Sequence, residues 1–230
     1  MAVEAGTIHS LIGPNGSGKS TFFNVATGLL PATSGRVFFK GREVTELKAH
    51  LRTRLGMSRT FQIPKVPPEM TCLENVMLGL HCRTAPDIRG TLFRPPFSRS
   101  RQETRITQRA WELLDLVGLA GQAHTPAGDL AWVNEQLLQL ARGLACQPQL
   151  LMLDEPTAGM GPEESEAVKA AIRHIRDLGV TVLLVAHDVN LVVSISDKVT
   201  VLNFGRKIAE GTGPEVSRHP AVMEAYLGQE

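Results

Sequence analysis

The chain has 230 residues, of which 24 are basic and 23 acidic, for a formal net charge of +1. That length suits one large α/β domain or two small ones. The near-neutral balance carries neither the basic footprint of a nucleic-acid binder nor an acidic solubilising tail. A hydrophobic fraction of 43% beside 20% charged residues excludes disorder and collagen.

Cys72, Cys82 and Cys146 are widely spaced and odd in number, with no His or Cys partner at metal-ligand spacing, so a reducing compartment is expected. No apolar run nears the ~18 residues of a membrane span. Residues 1–10 lack the basic start and long apolar stretch of a signal peptide. The expectation is a soluble, cytosolic chain whose membrane spans, if it works at a membrane, belong to other subunits.

In chain order, the first short apolar run is Thr7 to Ile12, predicted as a buried strand. It runs into Gly13-Pro14-Asn15-Gly16-Ser17-Gly18-Lys19-Ser20, which matches the phosphate-loop pattern G-x-x-x-x-G-K-[ST] at every fixed position. Ordinary residue usage would produce that string in about one chain of this length per hundred, and the flanking strand and helix make it more specific. Glycines let the backbone wrap so that successive N–H groups point at phosphate oxygens, and a helix predicted from Lys19 to Leu30 aims its positive end at the same place. Lys19 would neutralise β/γ charge and Ser20 would ligate Mg²⁺. A further strand followed by a turn is predicted over Gly35 to Gly41.

From about Pro64 to Gln147 the pattern changes to helices. Thr71-x-x-Glu74 reads as a capping box, and a helix from about Arg101 to Val117 carries Ile106, Ala110, Leu113, Leu114 and Val117 at helical spacing. Arg94-Pro95-Pro96-Phe97 is predicted to break this region internally. The prediction is therefore an α/β core, residues 1–63 and 148–230, with a helical insertion over 64–147.

Two more buried strands follow, Leu150 to Leu153 and Val180 to Ala186. The first delivers Asp154 and Glu155 into Pro156. Adjacent carboxylates at a strand end suit metal-assisted phosphate hydrolysis, with Asp154 serving the metal and Glu155 acting as general base on water. Taken alone such a pair is more often a helix cap or solvated turn; the intact phosphate loop reverses that weighting. His187 ends the other strand, at a carboxyl edge where it could hydrogen-bond a γ-phosphate. His9, His50, His81, His124, His174 and His219 have no such context and receive no role.

The phosphate loop, then Phe61-Gln62 after a strand, then Leu150 to Pro156, then His187, together resemble the nucleotide-binding subunit of an ABC transporter over essentially the whole chain. That resemblance implies a P-loop NTPase core of the RecA-like kind with a mostly parallel sheet, a small antiparallel β part and an inserted helical subdomain. It implies ATP and Mg²⁺, with the nucleotide held along Gly13 to Thr21, Gln62 touching Mg²⁺ and relaying nucleotide state, Glu155 as catalytic base and His187 as switch histidine. Two such subunits would sandwich two ATP molecules and drive integral membrane permease subunits from the inner face of the cell membrane. Gly13 to Thr21, Ser58-Arg59-Thr60-Phe61-Gln62, Thr71-Cys72-Leu73-Glu74-Asn75-Val76 and the tail Val222-Met223-Glu224-Ala225-Tyr226-Leu227-Gly228 resemble more closely the ATPases of branched-chain amino acid importers, and after them the urea or short-amide type. An extracytoplasmic solute-binding protein would join such a system indirectly, and substrate choice would rest with it and the permease.

Three departures from the family pattern stand out. Where relatives carry a signature resembling L-S-G-G-Q, this chain has Leu130-Ala131-Trp132-Val133-Asn134. Ala131 has no hydroxyl to donate, and Val133 puts a β-branched side chain where glycine would let backbone N–H groups approach phosphate. A heterodimer with one competent and one degenerate composite site is expected, and a nonhydrolytic regulatory subunit is the alternative. Relatives carry Asn or Asp at the position of Gly161. They also hold adenine against an aromatic ring from an upstream strand, whereas none of the 8 Phe, 2 Trp and 1 Tyr precedes Phe22. Either the start lies upstream and the antiparallel part lacks its first strand, the favoured reading, or adenine binding relies on phosphates and weaker apolar contacts. Other P-loop classes fit less well. No Asn-Lys-x-Asp string of a GTPase occurs.

Overall fold

The computed structural model describes residues 1–60, 62–81, 101–187 and 189–227. Phe61, Cys82, the Arg94–Phe97 break, Asp188 and Gly228 lie outside the described residues. Two units emerge, one formed by Met1–Ile63 with Pro148–Glu230, the other by Pro64–Gln147.

In the first unit, successive apolar residues produce strands buried on both faces. β1 (Ile8–Ile12) is buried at every position. It lies parallel between β6 (Thr181–Val185) and β7 (Lys198–Asn203). With β4 (Met57–Arg59), β5 (Leu150–Asp154) and β8 (Arg206–Gly211), these strands form a six-stranded sheet of order β4-β5-β6-β1-β7-β8. Only the β7–β8 pairing is antiparallel, with an irregularity between Val201 and Leu202. Register decides where the chemistry goes: Asp154 pairs with Val185, and Val185 pairs with Leu11. The chain segments following β5, β6 and β1 therefore leave the sheet side by side at one carboxyl edge.

α1 (Lys19–Thr27) is shorter than the predicted span to Leu30, because Gly28 turns left-handed at φ 77° and closes the helix. Its last carbonyls are claimed by a buried arginine. Arg52 donates to Val25 and Ala26 carbonyls at 2.7 Å each, and also to Leu47 and Thr45. A Cβ on Gly28 would meet both Arg52 Nε and the Leu47 carbonyl at 2.8 Å, so glycine is required here on two counts. Beneath the helix, Phe23 packs with Leu11, Met57, Met152, Leu183 and Val185. Truncating a buried phenylalanine of this kind costs about 3–5 kcal/mol.

The predicted strand over Gly35 to Gly41 is instead a tight hairpin, β2 (Phe38–Phe39) with β3 (Arg42–Glu43). Lys40 and Gly41 both have positive φ, 53° and 75°, the geometry of a two-residue primed turn. α2 (Ala49–Leu55) carries Arg52 toward the end of α1.

The second unit is helical over its described residues. α3 (Cys72–Leu80) opens with the expected capping box: Thr71 Oγ1 accepts from the Glu74 amide at 3.2 Å, and Glu74 Oε2 accepts from the Thr71 amide at 2.8 Å. Ile106, Ala110, Leu113, Leu114 and Val117 are all buried, the first four on α4 (Arg101–Leu116) and the last just beyond it. Gly79 lets α3 approach α5 (Trp132–Ala145) closely, since a Cβ there would meet Ala145 Cβ at 2.8 Å.

Candidate active site

The loop from β1 to α1 curls through Gly13, Gly16 and Gly18, at φ 155°, 75° and 101°. Gly13 has no room for a side chain: an ideal Cβ would sit 2.1 Å from the Leu202 carbonyl and 2.7 Å from Ser17 Oγ. Ser17 is buried and its carbonyl accepts from the Gly205 amide at 2.9 Å. Asn15, Gly16, Ser20 and Thr21 face solvent, while Gly13, Pro14, Ser17 and Lys19 are buried and Gly18 is half-buried. The loop thus has a closed rear and an open front, as an anion cradle at a helix N-terminus requires.

Lys19 Nζ donates to the carbonyls of Gly13 at 2.6 Å and Pro14 at 3.0 Å. Burial lowers its pKa, and the nearby carboxylates of Glu155 and Asp154 oppose that shift. The ammonium is therefore poised in the loop with only neutral acceptors, which phosphate oxygens would outcompete.

At the end of β5 the two carboxylates take different partners. Asp154 Oδ2 is held at 2.8 Å by Arg59, whose other terminal nitrogen donates to Asn24 Oδ1 at 2.6 Å. The Arg59 guanidinium also lies over the Phe23 ring, 5.6 Å from its centroid. Glu155 adopts left-handed backbone at φ 46°, unusual for a residue with a Cβ. Its Oε2 accepts from Gln62 Nε2 at 3.0 Å and lies 3.3 Å from His187 Nδ1. Gln62, Glu155 and His187, far apart in sequence, thus converge on a single carboxylate oxygen. Ser20, Gln62 and Asp154 offer a hydroxyl, an amide and a carboxylate, an all-oxygen set that fits a hard cation such as Mg²⁺ retaining water and phosphate ligands.

Sequence reasoning gave two of these features no role. Arg59 has no local motif of its own, although a charge on a strand whose neighbours Met57 and Ser58 are buried demands a partner. His9, given no role, is wholly buried and hydrogen-bonded through Nε2 to Thr200 Oγ1 at 2.8 Å. Thr200 in turn meets Glu210 Oε2 at 3.1 Å.

Residues 1–158 match the family described as ABC transporter. The chain belongs to the ABC transporter family. Residues 206–230 also match the family described as branched-chain amino acid ATP-binding cassette transporter. Among similar proteins is the high-affinity branched-chain amino acid transport ATP-binding protein BraF of Pseudomonas aeruginosa, 40% identical over 100% of this chain and 90% of that one. The corresponding LivG of Escherichia coli K12 is 37% identical over 96% of this chain and 87% of its own length. Among solved structures, an ATP-binding cassette of an ABC transporter in its ADP conformation superposes with a TM-score of 0.86 at 30% identity, covering 100% of this chain and 91% of that chain. A dimeric cassette in a post-hydrolysis state, bound to ADP and Pi, matches at a TM-score of 0.74 and 26% identity, covering 92% and 88%.

As an ABC ATPase, the chain is an ATP-binding and ATP-hydrolysing cassette on an α/β fold with a mostly parallel sheet. No helix among the described residues is long and apolar enough to cross a membrane.

Proposed function

We propose that this ABC ATPase powers an importer for branched-chain or other hydrophobic amino acids, seated on integral permease subunits at the inner face of the cell membrane and paired with a second ABC ATPase. The names of the relatives BraF and LivG and the matching tail over residues 206–230 support the solute class over urea or short amides.

The convergence of Gln62 and His187 on Glu155 beside the phosphate loop carries the mechanistic reading. Backbone amides of Asn15 to Ser20 cradle the phosphates, and Lys19 leaves its two carbonyl partners for β/γ oxygens. Ser20, Gln62 and Asp154 would hold Mg²⁺, which neutralises phosphate charge when bound. Glu155, fixed by Gln62, accepts a proton from the attacking water, and His187 hydrogen-bonds the γ-phosphate. Arg59 keeps Asp154 aimed.

The N-terminus of α5 supports an asymmetric pair. Ala131 occupies its N-cap position and makes no side-chain cap. A partner's ATP facing that end would lack a hydroxyl donor, so the reading is a heterodimer in which the second subunit supplies the stronger signature. The same feature favours a nonhydrolytic regulatory subunit as the second reading, which the Glu155 cluster opposes. Replacing Glu155 with Gln separates the two. It is expected to cut turnover by about 10²–10⁴-fold while ATP binding and ATP-driven dimerisation persist; a regulator would show no measurable loss.

A further inference from the structure

The closed rear of the phosphate loop is made by the C-terminal part of the chain. The Gly205 amide, in the turn between β7 and β8, donates to the Ser17 carbonyl at 2.9 Å, and the Leu202 carbonyl presses against Gly13. Following α7 (Val189–Ile195) and α8 (Gly213–Ser217), α9 (Pro220–Leu227) packs beside β8 and brings a third element to that wall. Val222, buried, and Tyr226 stand one turn apart on one face of α9. The Tyr226 hydroxyl is sealed from solvent and faces the backbone amide of Gly13, yet it closes no hydrogen bond among the described residues. Burial pushes the phenol pKa up, so the group stays neutral. A buried hydroxyl without a closed bond is unfavourable, and phenylalanine would fill the same volume.

The Gly13 peptide has a second attachment. Its carbonyl accepts from Lys19 Nζ at 2.6 Å. When phosphate oxygens draw the ammonium away, that attachment is lost at the moment the loop must hold its shape. We propose that Tyr226 is a positioning residue of the ATP site, its hydroxyl accepting from the Gly13 amide and fixing the start of the phosphate loop once Lys19 turns to the nucleotide. Tyr226 touches no nucleotide in this role; it acts through Gly13. The C-terminal helix thereby couples its own docking to ATP affinity.

The inference rests on Gly13 to Ser20 being the ATP phosphate loop. The test titrates a fluorescent ATP analogue into the wild-type chain and into Tyr226→Phe, and records thermal unfolding with and without ATP. Losing one hydrogen bond made mainly in the loaded state predicts an affinity about fivefold weaker. The melting temperature without nucleotide holds or rises slightly, because an unbonded buried hydroxyl is removed, while the ATP-induced rise shrinks. Unchanged affinity would overturn the proposal. So would a lowered melting temperature without nucleotide together with a full ATP-induced rise, the signature of a tyrosine that only packs. Tyr226→Leu, which also removes the ring, is expected to weaken affinity further and lower both melting temperatures. A Lys19→Ala variant that binds ATP as tightly as wild type would overturn the phosphate-loop assignment itself, an outcome distinct from failure of the Tyr226 proposal.

Discussion

Two helix N-termini in this chain answer the same electrostatic question differently. Both α1 and α5 begin without a side-chain cap. α1 is preceded by left-handed glycines, has no acid in its first turn and buries the Lys19 ammonium beside its open amides. α5 is preceded by Ala131 and carries Val133 and Glu135 in its first turn. Since every helix has a positive end, the dipole alone does not make a phosphate site. What distinguishes α1 is backbone that can wrap an anion, a cation beside it, and no carboxylate in its own first turn.

The largest effect is expected at the support of the first site. Arg59→Leu leaves the Asp154 carboxylate, only partly exposed, without its guanidinium partner. The expected loss is about 3–5 kcal/mol of stability with impaired turnover, read by urea denaturation and steady-state ATPase assays. A loss below about 1 kcal/mol would show that Asp154 does not depend on Arg59.

The second terminus can be sharpened by restoring what it lacks. Ala131→Ser supplies an N-cap acceptor and is expected to add about 0.5–2 kcal/mol to chemical stability. Combined with Val133→Gly, it should raise the turnover of a dimer of this chain, even though glycine weakens the helix by up to about 1 kcal/mol. Unaltered turnover in that double variant would place the deficit elsewhere.

A smaller effect distinguishes the sheet beneath α1. His9 is held below its ordinary value of 6.5, first by burial, with Lys198 and the chain N-terminus adding to the shift and Glu210 and Glu4 opposing it. Above that value both folded and unfolded His9 are neutral and the contribution to stability is complete. As pH falls below it, the unfolded chain binds a proton that the folded chain refuses, so stability declines. His9→Gln, which preserves a donor to Thr200, should flatten the denaturation midpoint between pH 7 and 5.5. Glu210 is held down to about 2, chiefly by Lys207, so its contribution persists above 4.5 and is lost only as pH falls through that lower range. An equally steep profile in the His9 variant would exonerate His9.

The smallest change is at Gly161, the N-cap of α6 (Pro162–Asp177), whose amide donates to Glu164 Oε2 at 3.0 Å. A Cβ there would meet only that carboxylate oxygen, at 3.8 Å. Gly161→Asn should therefore be accepted and gain a few tenths of a kcal/mol at most, measured by thermal melting. A loss would mean the position needs glycine.

The glycine-rich turn between β1 and α1 was legible because its requirements are local: glycines for a tight wrap, a strand before and a helix after. The three central strands were legible because burial on both faces demands runs of Leu, Ile and Val. Arg59 and Tyr226 were not read because their meaning is set by contacts across the fold. Arg59 meets a carboxylate 95 positions away, and Tyr226 reaches the loop only after α9 docks. The β2–β3 hairpin was read as one strand because the turn at Lys40 and Gly41 depends on a positive φ that lysine does not announce. The extent of α1 was overestimated for a related reason: Leu29 and Leu30 continue the apolar pattern, while Gly28 and Arg52 end the helix.

The contrast between the two helix termini is tested most directly by ATP turnover of this chain alone against the chain mixed with the second ABC ATPase proposed to pair with it. Slow hydrolysis is expected of the lone chain, whose every composite site would use an α5 terminus, and brisk hydrolysis of the mixture. Brisk turnover by the lone chain, abolished by Glu155→Gln, would contradict this expectation and show that Leu130–Asn134 serves a partner's ATP as it stands.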